Sequence, residues 1–96
     1  MVRLDAARAR LNELLKLKFP TSAVSHVEVE ESADAEGQPS LNVWVVFDSR
    51  PAREEMRYNK SSMIDEFRTW LSKQGDDRFP YFAFTTEQDE RELSQQ

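Results

Sequence analysis

A single histidine and two glutamates at alternating positions come closest to a chemical site in this sequence. His26, Glu28 and Glu30 would project from one face of an extended segment, and an imidazole with two carboxylates can ligate a divalent metal. Same-face side chains on a strand are about 6 to 7 Å apart, however, so these three could bind one ion only if the strand were bent or if other residues added ligands. We therefore favour the solvated face of an edge strand, where charge opposes aggregation, and predict no metal site. A metal-dependent hydrolase centred on His26 is the less favoured hypothesis.

Other kinds of catalytic site have little support in the residue types. The chain contains no cysteine, which excludes disulfide scaffolds, thiolate metal sites and a cysteine nucleophile. A serine nucleophile needs a positioned base, and the only histidine is adjacent to Ser25, which should lie on the opposite face of its strand. Gly37 and Gly75 are isolated, so the chain can form neither a P-loop nor a dinucleotide-binding motif. We predict a protein without catalytic activity and without a cofactor.

Length, composition and charge limit the kinds of partner. The chain has 96 residues, 39% of them hydrophobic, which suffices for one folded domain and is too apolar for a disordered tail. Its 13 Lys and Arg against 18 Asp and Glu give a net charge of −5, which disfavours a generic phosphate-backbone binder or an anionic membrane surface. No run reaches the roughly 18 to 20 apolar residues that span a bilayer. We expect a cytoplasmic protein with a single domain over residues 1 to 85 and a polar segment over residues 86 to 96.

Apolar residues at helical spacing predict two amphipathic helices. The first covers residues 3 to 18 and ends before Pro20, because a proline disfavours helical geometry in the residue that precedes it. The second lies within residues 51 to 74, as one helix or as two, because poor helix formers interrupt its middle. Gly75 then stands at the position of a left-handed C-terminal cap, before an acidic turn that includes Asp76.

Alternating apolar residues predict three strands, over residues 24 to 31, 41 to 48 and 79 to 85. Val24 is out of phase with the first strand, which allows a bulge or a late start. The second strand is apolar on both faces, which is typical of a central strand. Thr86 with Asp89, or Thr85 with Gln88, resembles a helix cap and could begin a short final helix that frays.

This order predicts an α+β fold of the form α-β-β-α-β(-α). The first two strands form an antiparallel hairpin, and the helical crossover places the third strand parallel to the second. The expected architecture is a three-stranded mixed sheet with the helices packed on one face.

At the level of element order, the chain resembles the type II KH arrangement and the related BolA proteins, which also place a hairpin between helices. A KH module that binds nucleic acid uses a GxxG loop, which Gly37 and Gly75 cannot form. The BolA pattern has a histidine ahead of the last strand, where this chain reads RFPYFAF from Arg78 to Phe84. The resemblance therefore implies a fold and carries no function.

Charge is distributed unevenly along the chain. Residues 28 to 36 have five carboxylates and no cation, whereas residues 50 to 60 have four cations and two carboxylates. These four cations could contact an anion or a nucleic acid: Arg50, Arg53, Arg57 and Lys60. A KH-like or regulatory nucleic-acid contact through these residues is our alternative function. It is the less favoured one, because Tyr58 is a solitary aromatic and proteins that bind single strands offer several.

The face of the sheet away from the helices is the most informative surface. Four residues are expected to point to that side: Trp44, Val46, Tyr81 and Ala83. Exposed apolar patches rimmed by charge mark interaction sites, and Trp and Tyr are frequent anchors. A terminal segment folded over this face would instead make Trp44 ordinary core. Our leading hypothesis is a non-enzymatic interaction or adaptor module that uses these residues to form a homodimer or to bind a partner protein.

Overall fold

The computed structural model describes residues 1–20, 22–51 and 53–94. Six elements follow one another along the chain: α1 (Leu4–Lys18), β1 (Val24–Ala33), β2 (Pro39–Phe47), α2 (Arg53–Lys73), β3 (Phe79–Thr86) and α3 (Glu87–Ser94). The predicted α+β fold is confirmed, and the optional final helix is present. None of the helices in the described ranges combines the length and apolar character that crossing a membrane requires.

The sheet has the order β1-β2-β3, with β2 in the centre. β1 pairs antiparallel with β2, and β3 pairs parallel with β2, as expected for a hairpin followed by a helical crossover. The register shifts between Val24, opposite Phe47, and His26, opposite Val46, so Ser25 is an extra residue in β1. The predicted irregularity at Val24 is therefore a β-bulge.

A five-residue turn between Ala33 and Pro39 sets the register of the hairpin. The Asp34 carboxylate accepts hydrogen bonds from the backbone N–H groups of Glu36 and Gln38, each at 2.9 Å. Gly37 has a φ of 81°, a left-handed conformation that glycine adopts without a side-chain penalty. Asp34 is thus used to build the turn, although it belongs to the acidic run of the hairpin.

The hydrophobic core lies between one face of the sheet and the two longer helices, α1 and α2. β2 faces this core with side chains that are at most 1% exposed: Leu41, Val43, Val45 and Phe47. The helices add their predicted apolar stripes: Ala7, Leu11, Leu14 and Leu15 from α1, and Met63, Phe67 and Leu71 from α2. Aromatic contacts extend the core, with ring centroids 5.4 Å apart for Phe19 and Phe47 and 5.7 Å apart for Phe67 and Phe82.

α2 is a single helix, which decides between the two predicted alternatives. The poor helix former Asn59 is accommodated because its side-chain amide donates a 2.8 Å hydrogen bond to the carbonyl oxygen of Lys18, at the end of α1. The Lys18 ammonium also forms a 2.9 Å ion pair with Glu66. These contacts tie the two helices together at a point where propensity alone would favour a break.

A left-handed glycine ends α2 and leads into a buried ion pair. Gly75 has a φ of 78°, and the N–H of Asp76 donates to the carbonyl oxygen of Leu71, the bond pattern of a Schellman cap. Asp76 and Arg78 are 2% and 5% exposed. The hydrogen-bonded Arg78 guanidinium lowers the pKa of the Asp76 carboxyl from 3.8 to about 2, although burial acts in the opposite direction.

α3 begins with one of the two predicted caps, because the hydroxyl of Thr86 accepts a 3.2 Å hydrogen bond from the N–H of Asp89. The helix therefore starts directly where β3 ends. Its first carboxylate, Glu87, accepts a hydrogen bond from Ser25 of β1, on the far side of β2. α1 and α2 pack on one face of the sheet as predicted, whereas the first turn of α3 reaches towards the opposite face.

Candidate functional site

The sheet face opposite α1 and α2 is called the open face here. Its residues follow from the strand register, in which each pair or trio of partners points to the same side. All three strands contribute residues to it: His26, Glu28, Glu30 and Ser32 on β1; Ser40, Asn42, Trp44 and Val46 on β2; and Phe79, Tyr81, Ala83 and Thr85 on β3. The register thus brings together the four residues that the sequence selected for partner binding.

Two neighbouring aromatic side chains on the edge strand β3 form an exposed part of the open face. Phe79 and Tyr81 are 42% and 45% exposed, and their ring centroids lie 4.8 Å apart. The guanidinium of Arg68 lies 4.7 Å from the centre of the Phe79 ring and limits its motion. Phe79 was not among the predicted binding residues, although its alternation with Tyr81 places both on one face.

Val46 differs from the prediction that it is exposed, because its side chain is completely buried at 0% exposure. Its row partners are His26 on β1 and Thr85 on β3. The Glu87 side chain spans this row, from the end of β3 to Ser25 on β1. The C-terminal helix therefore covers one end of the open face and removes Val46 from the candidate binding surface.

Trp44 lies between the covered end and the exposed aromatic pair, and it is half-buried. It points away from α1 and α2 as predicted, and Ala83 beside it on β3 is exposed. A shallow cleft of about 360 Å³ lies against the indole and is lined by Arg8, Glu28, Val29, Glu30, Trp44 and Glu90. Both alternatives for this face are thus partly realised, because α3 covers Val46 and leaves Trp44 accessible.

His26 contacts Glu28 of the predicted set His26, Glu28 and Glu30, and its second carboxylate neighbour is Glu87 of α3. Its ring nitrogens lie 3.6 Å from Glu28 and 3.6 Å from Glu87. Ser25 was expected on the opposite face, but its hydroxyl lies 3.1 Å from the His26 ring because the bulge interrupts the alternation. Within the described residues, no three histidine, cysteine or acidic side chains form a group that could hold a metal ion. This cluster holds α3 against β1.

Three of the four basic residues of the alternative hypothesis have described side chains, and two of these lie over aromatic rings. Arg50 and Arg57 are exposed, and the side chain of Arg53 lies outside the described part of the structure. The ammonium of Lys60 lies 5.0 Å from the centre of the partly buried ring of Phe84, and Arg57 lies over Tyr58. The nearby open cleft, about 380 Å³ beside Phe47 and Phe84, also contains the carboxylate of Asp89.

The open face combines exposed rings, a half-buried indole and unequally distributed charge. Such a surface can bury apolar area against a second molecule and select that molecule by charge. The chain matches no protein-family model and no curated protein sequence.

Proposed function

We propose that this protein is a non-enzymatic interaction module that binds a partner protein on its open face. The observation that carries the proposal is the contact between the exposed rings of Phe79 and Tyr81, with the half-buried indole of Trp44 on the adjacent strand. Large aromatic side chains are enriched among the residues that dominate binding energy at protein interfaces. These three residues, hereafter the aromatic anchors, would supply most of the binding energy.

The arrangement of the aromatic anchors favours binding in energetic terms. Phe79 is held between the ring of Tyr81 and the guanidinium of Arg68, so it has few conformations left to lose on association. Trp44 stands on the central strand, which is hydrogen-bonded to a neighbour on each side. A partner would therefore meet a preorganised surface, and little of its binding energy would be spent on ordering this protein.

A substitution pair on each side of the molecule tests the proposal. The test variant is Phe79→Ser with Tyr81→Ser, which removes two anchors. The control variant is Leu17→Ser with Tyr58→Ser, which removes two apolar side chains that are 70% and 66% exposed on the helices. Each tagged protein is recovered from its native host, and the bound proteins are quantified by mass spectrometry.

The proposal predicts a partner that binds the unmodified protein and the control variant but not the test variant. A partner that the test variant still binds, or that only the control variant loses, would contradict it. Light scattering of the purified protein adds a second readout. A dimer that the test variant alone dissociates would identify a second copy of this chain as the occupant of the open face.

A further inference from the structure

The open face is bordered by negative charge beside the indole of Trp44. Glu28 and Glu30 lie on β1, and Glu28 is directly opposite Trp44 in the strand register. In the part of the chain that the structure describes, Glu28 lies 3.6 Å from the His26 ring, and neither Glu28 nor Glu30 forms an ion pair with a lysine or arginine. In this part of the chain, two exposed carboxylates thus lie next to an accessible indole, and neither carboxylate has a lysine or arginine as an ion-pair partner.

The cleft against Trp44 has the chemistry to hold a cationic side chain. An indole attracts a guanidinium or ammonium group through the negative face of its ring, and nearby carboxylates attract the same group by charge. The cleft of about 360 Å³ combines the indole with the side chains of Glu28, Glu30 and Glu90. The apolar stem of a lysine or arginine could cover the ring while its charged end meets the carboxylates.

We infer that the partner presents a basic segment, rich in arginine or lysine, whose cationic side chains enter the cleft beside Trp44. This inference rests on the proposed function, and it names the partner's chemistry from the complementary charge of the open face. A second copy of the chain fits less well. Symmetric pairing of two open faces would bring Glu28 and Glu30 of both copies into one interface, where like charges repel.

Arg8 allows a specific test of this charge complementarity. It is the one cation that lines the cleft among residues 1–20, 22–51 and 53–94. It belongs to α1 and its side chain is exposed. A bound cation would be repelled by Arg8 and attracted by Glu30. Removing the Arg8 charge should therefore strengthen binding, whereas removing the Glu30 charge should weaken it.

The probe is an eight-residue peptide of alternating arginine and glycine, titrated into the ¹⁵N-labelled protein. Amide and indole N–H chemical shifts locate and quantify binding, and a Trp70→Phe variant assigns the two indole signals. The matched control peptide has glutamate in place of arginine. Three variants are compared: Glu30→Gln, Arg8→Gln and, as a charge-matched control on the exposed surface of α2, Glu54→Gln.

The basic peptide should shift the signals of Trp44 and β1, with a dissociation constant that rises with salt. Glu30→Gln should weaken binding about threefold and Arg8→Gln should strengthen it by about the same factor, as expected for exposed charge pairs. Glu54→Gln should have no effect. Equal binding of the acidic peptide, shifts centred on α2, or the absence of any shift would overturn the inference. A partner that still depends on Phe79 and Tyr81 in the recovery experiment would leave the proposed function intact.

Discussion

Asp76 and Arg78 form a buried ion pair that also holds the N-terminus of the chain. The Arg78 guanidinium donates to Asp76 at 2.6 Å and to the carbonyl oxygen of Val2 at 2.8 Å. Asp76 in turn accepts a 3.0 Å hydrogen bond from the N–H of Val2. The pair thus joins the segment before α1 to the loop that leads into β3, the strand that carries two of the aromatic anchors.

The Asp76→Asn substitution should destabilise the protein strongly. It would remove the buried charged partner of the Arg78 guanidinium, whose own side chain is 3% exposed, and leave it the exposed Glu31 at 3.5 Å. Breaking a buried pair in this way costs about 3 to 5 kcal/mol. Urea unfolding at neutral pH measures the loss, and Asp77→Asn, at the exposed neighbouring position, is the matched control. A loss below about 1 kcal/mol for Asp76→Asn would show that the pair contributes little.

The same pair should make stability depend on pH in the acid range. Lowering the Asp76 pKa from 3.8 to about 2 favours the folded protein by about 2.5 kcal/mol while the carboxyl is ionised in both states. Because the folded-state pKa is depressed, this contribution is present above about pH 4 and is lost as the pH falls towards 2. The difference in unfolding free energy between the unmodified protein and Asp76→Asn should therefore shrink over this range. If the unfolding free energies of the two proteins instead changed in parallel with pH, a depressed pKa of Asp76 would be contradicted.

The Gly75→Ala substitution should cost about 1 to 2 kcal/mol of stability. A methyl group added at Gly75 would meet no atom within 4 Å, so the penalty comes from the left-handed backbone, with a φ of 78°, and not from a clash. Gly75→Asn should cost less, because asparagine adopts this conformation more readily. Thermal unfolding of both variants checks the order, and an equal or greater loss for the asparagine variant would be evidence against it.

Val46 and Tyr81 should have separable roles although both belong to the open face. Val46→Ala removes two methyl groups from a completely buried site and should lower stability by about 2 kcal/mol. Tyr81→Ala acts on a side chain that is 45% exposed and should change stability by less than about 1 kcal/mol while reducing partner binding. Urea unfolding combined with partner recovery distinguishes the two effects. The opposite pattern, with Tyr81→Ala the more destabilising, would place Tyr81 in the core.

The Thr86→Ala substitution should loosen α3 locally. It removes the hydroxyl that caps the helix, a change that costs about 1 kcal/mol. Hydrogen exchange should become faster in α3 and at β2 residues near Val46, while the core amides of α1 and α2 keep their protection. Thr85→Ala, the other candidate cap, is the control. Uniform acceleration across the whole protein would indicate that α3 does not open independently.

Much of the fold could be predicted because its signals are local. The apolar pattern on both faces of the segment around Trp44 predicts the central strand, and the phase error at Val24 predicts a bulge or a late start, of which the structure has the bulge. The Thr86 cap is likewise encoded within four residues. The pattern that predicts each of these features lies within a few neighbouring residues, which is why it can be read from the sequence.

The remaining features depend on contacts between distant residues. The sequence around Asp76 has the composition of an ordinary turn. Nothing in it indicates a hydrogen bond between Asp76 and Val2, 74 positions away. Glu87 bonds to Ser25 at the end of the sheet where Val46 is buried, a contact that the polar sequence of α3 does not indicate. Phe79 is different, because its alternation with Tyr81 was a usable signal for the candidate site.

Photocrosslinking from the open face tests the central claim most directly. p-Benzoylphenylalanine is placed at position 81 in one protein and at position 58 in another, and the crosslinked peptides are identified after irradiation in the native host. Tyr58 is the control because it is 66% exposed on α2, in the opposite layer of the molecule. We predict a crosslink from position 81, and none from position 58, to an arginine- or lysine-rich segment of another protein. Equal crosslinking from both positions, or none from position 81, would contradict a binding role for the open face.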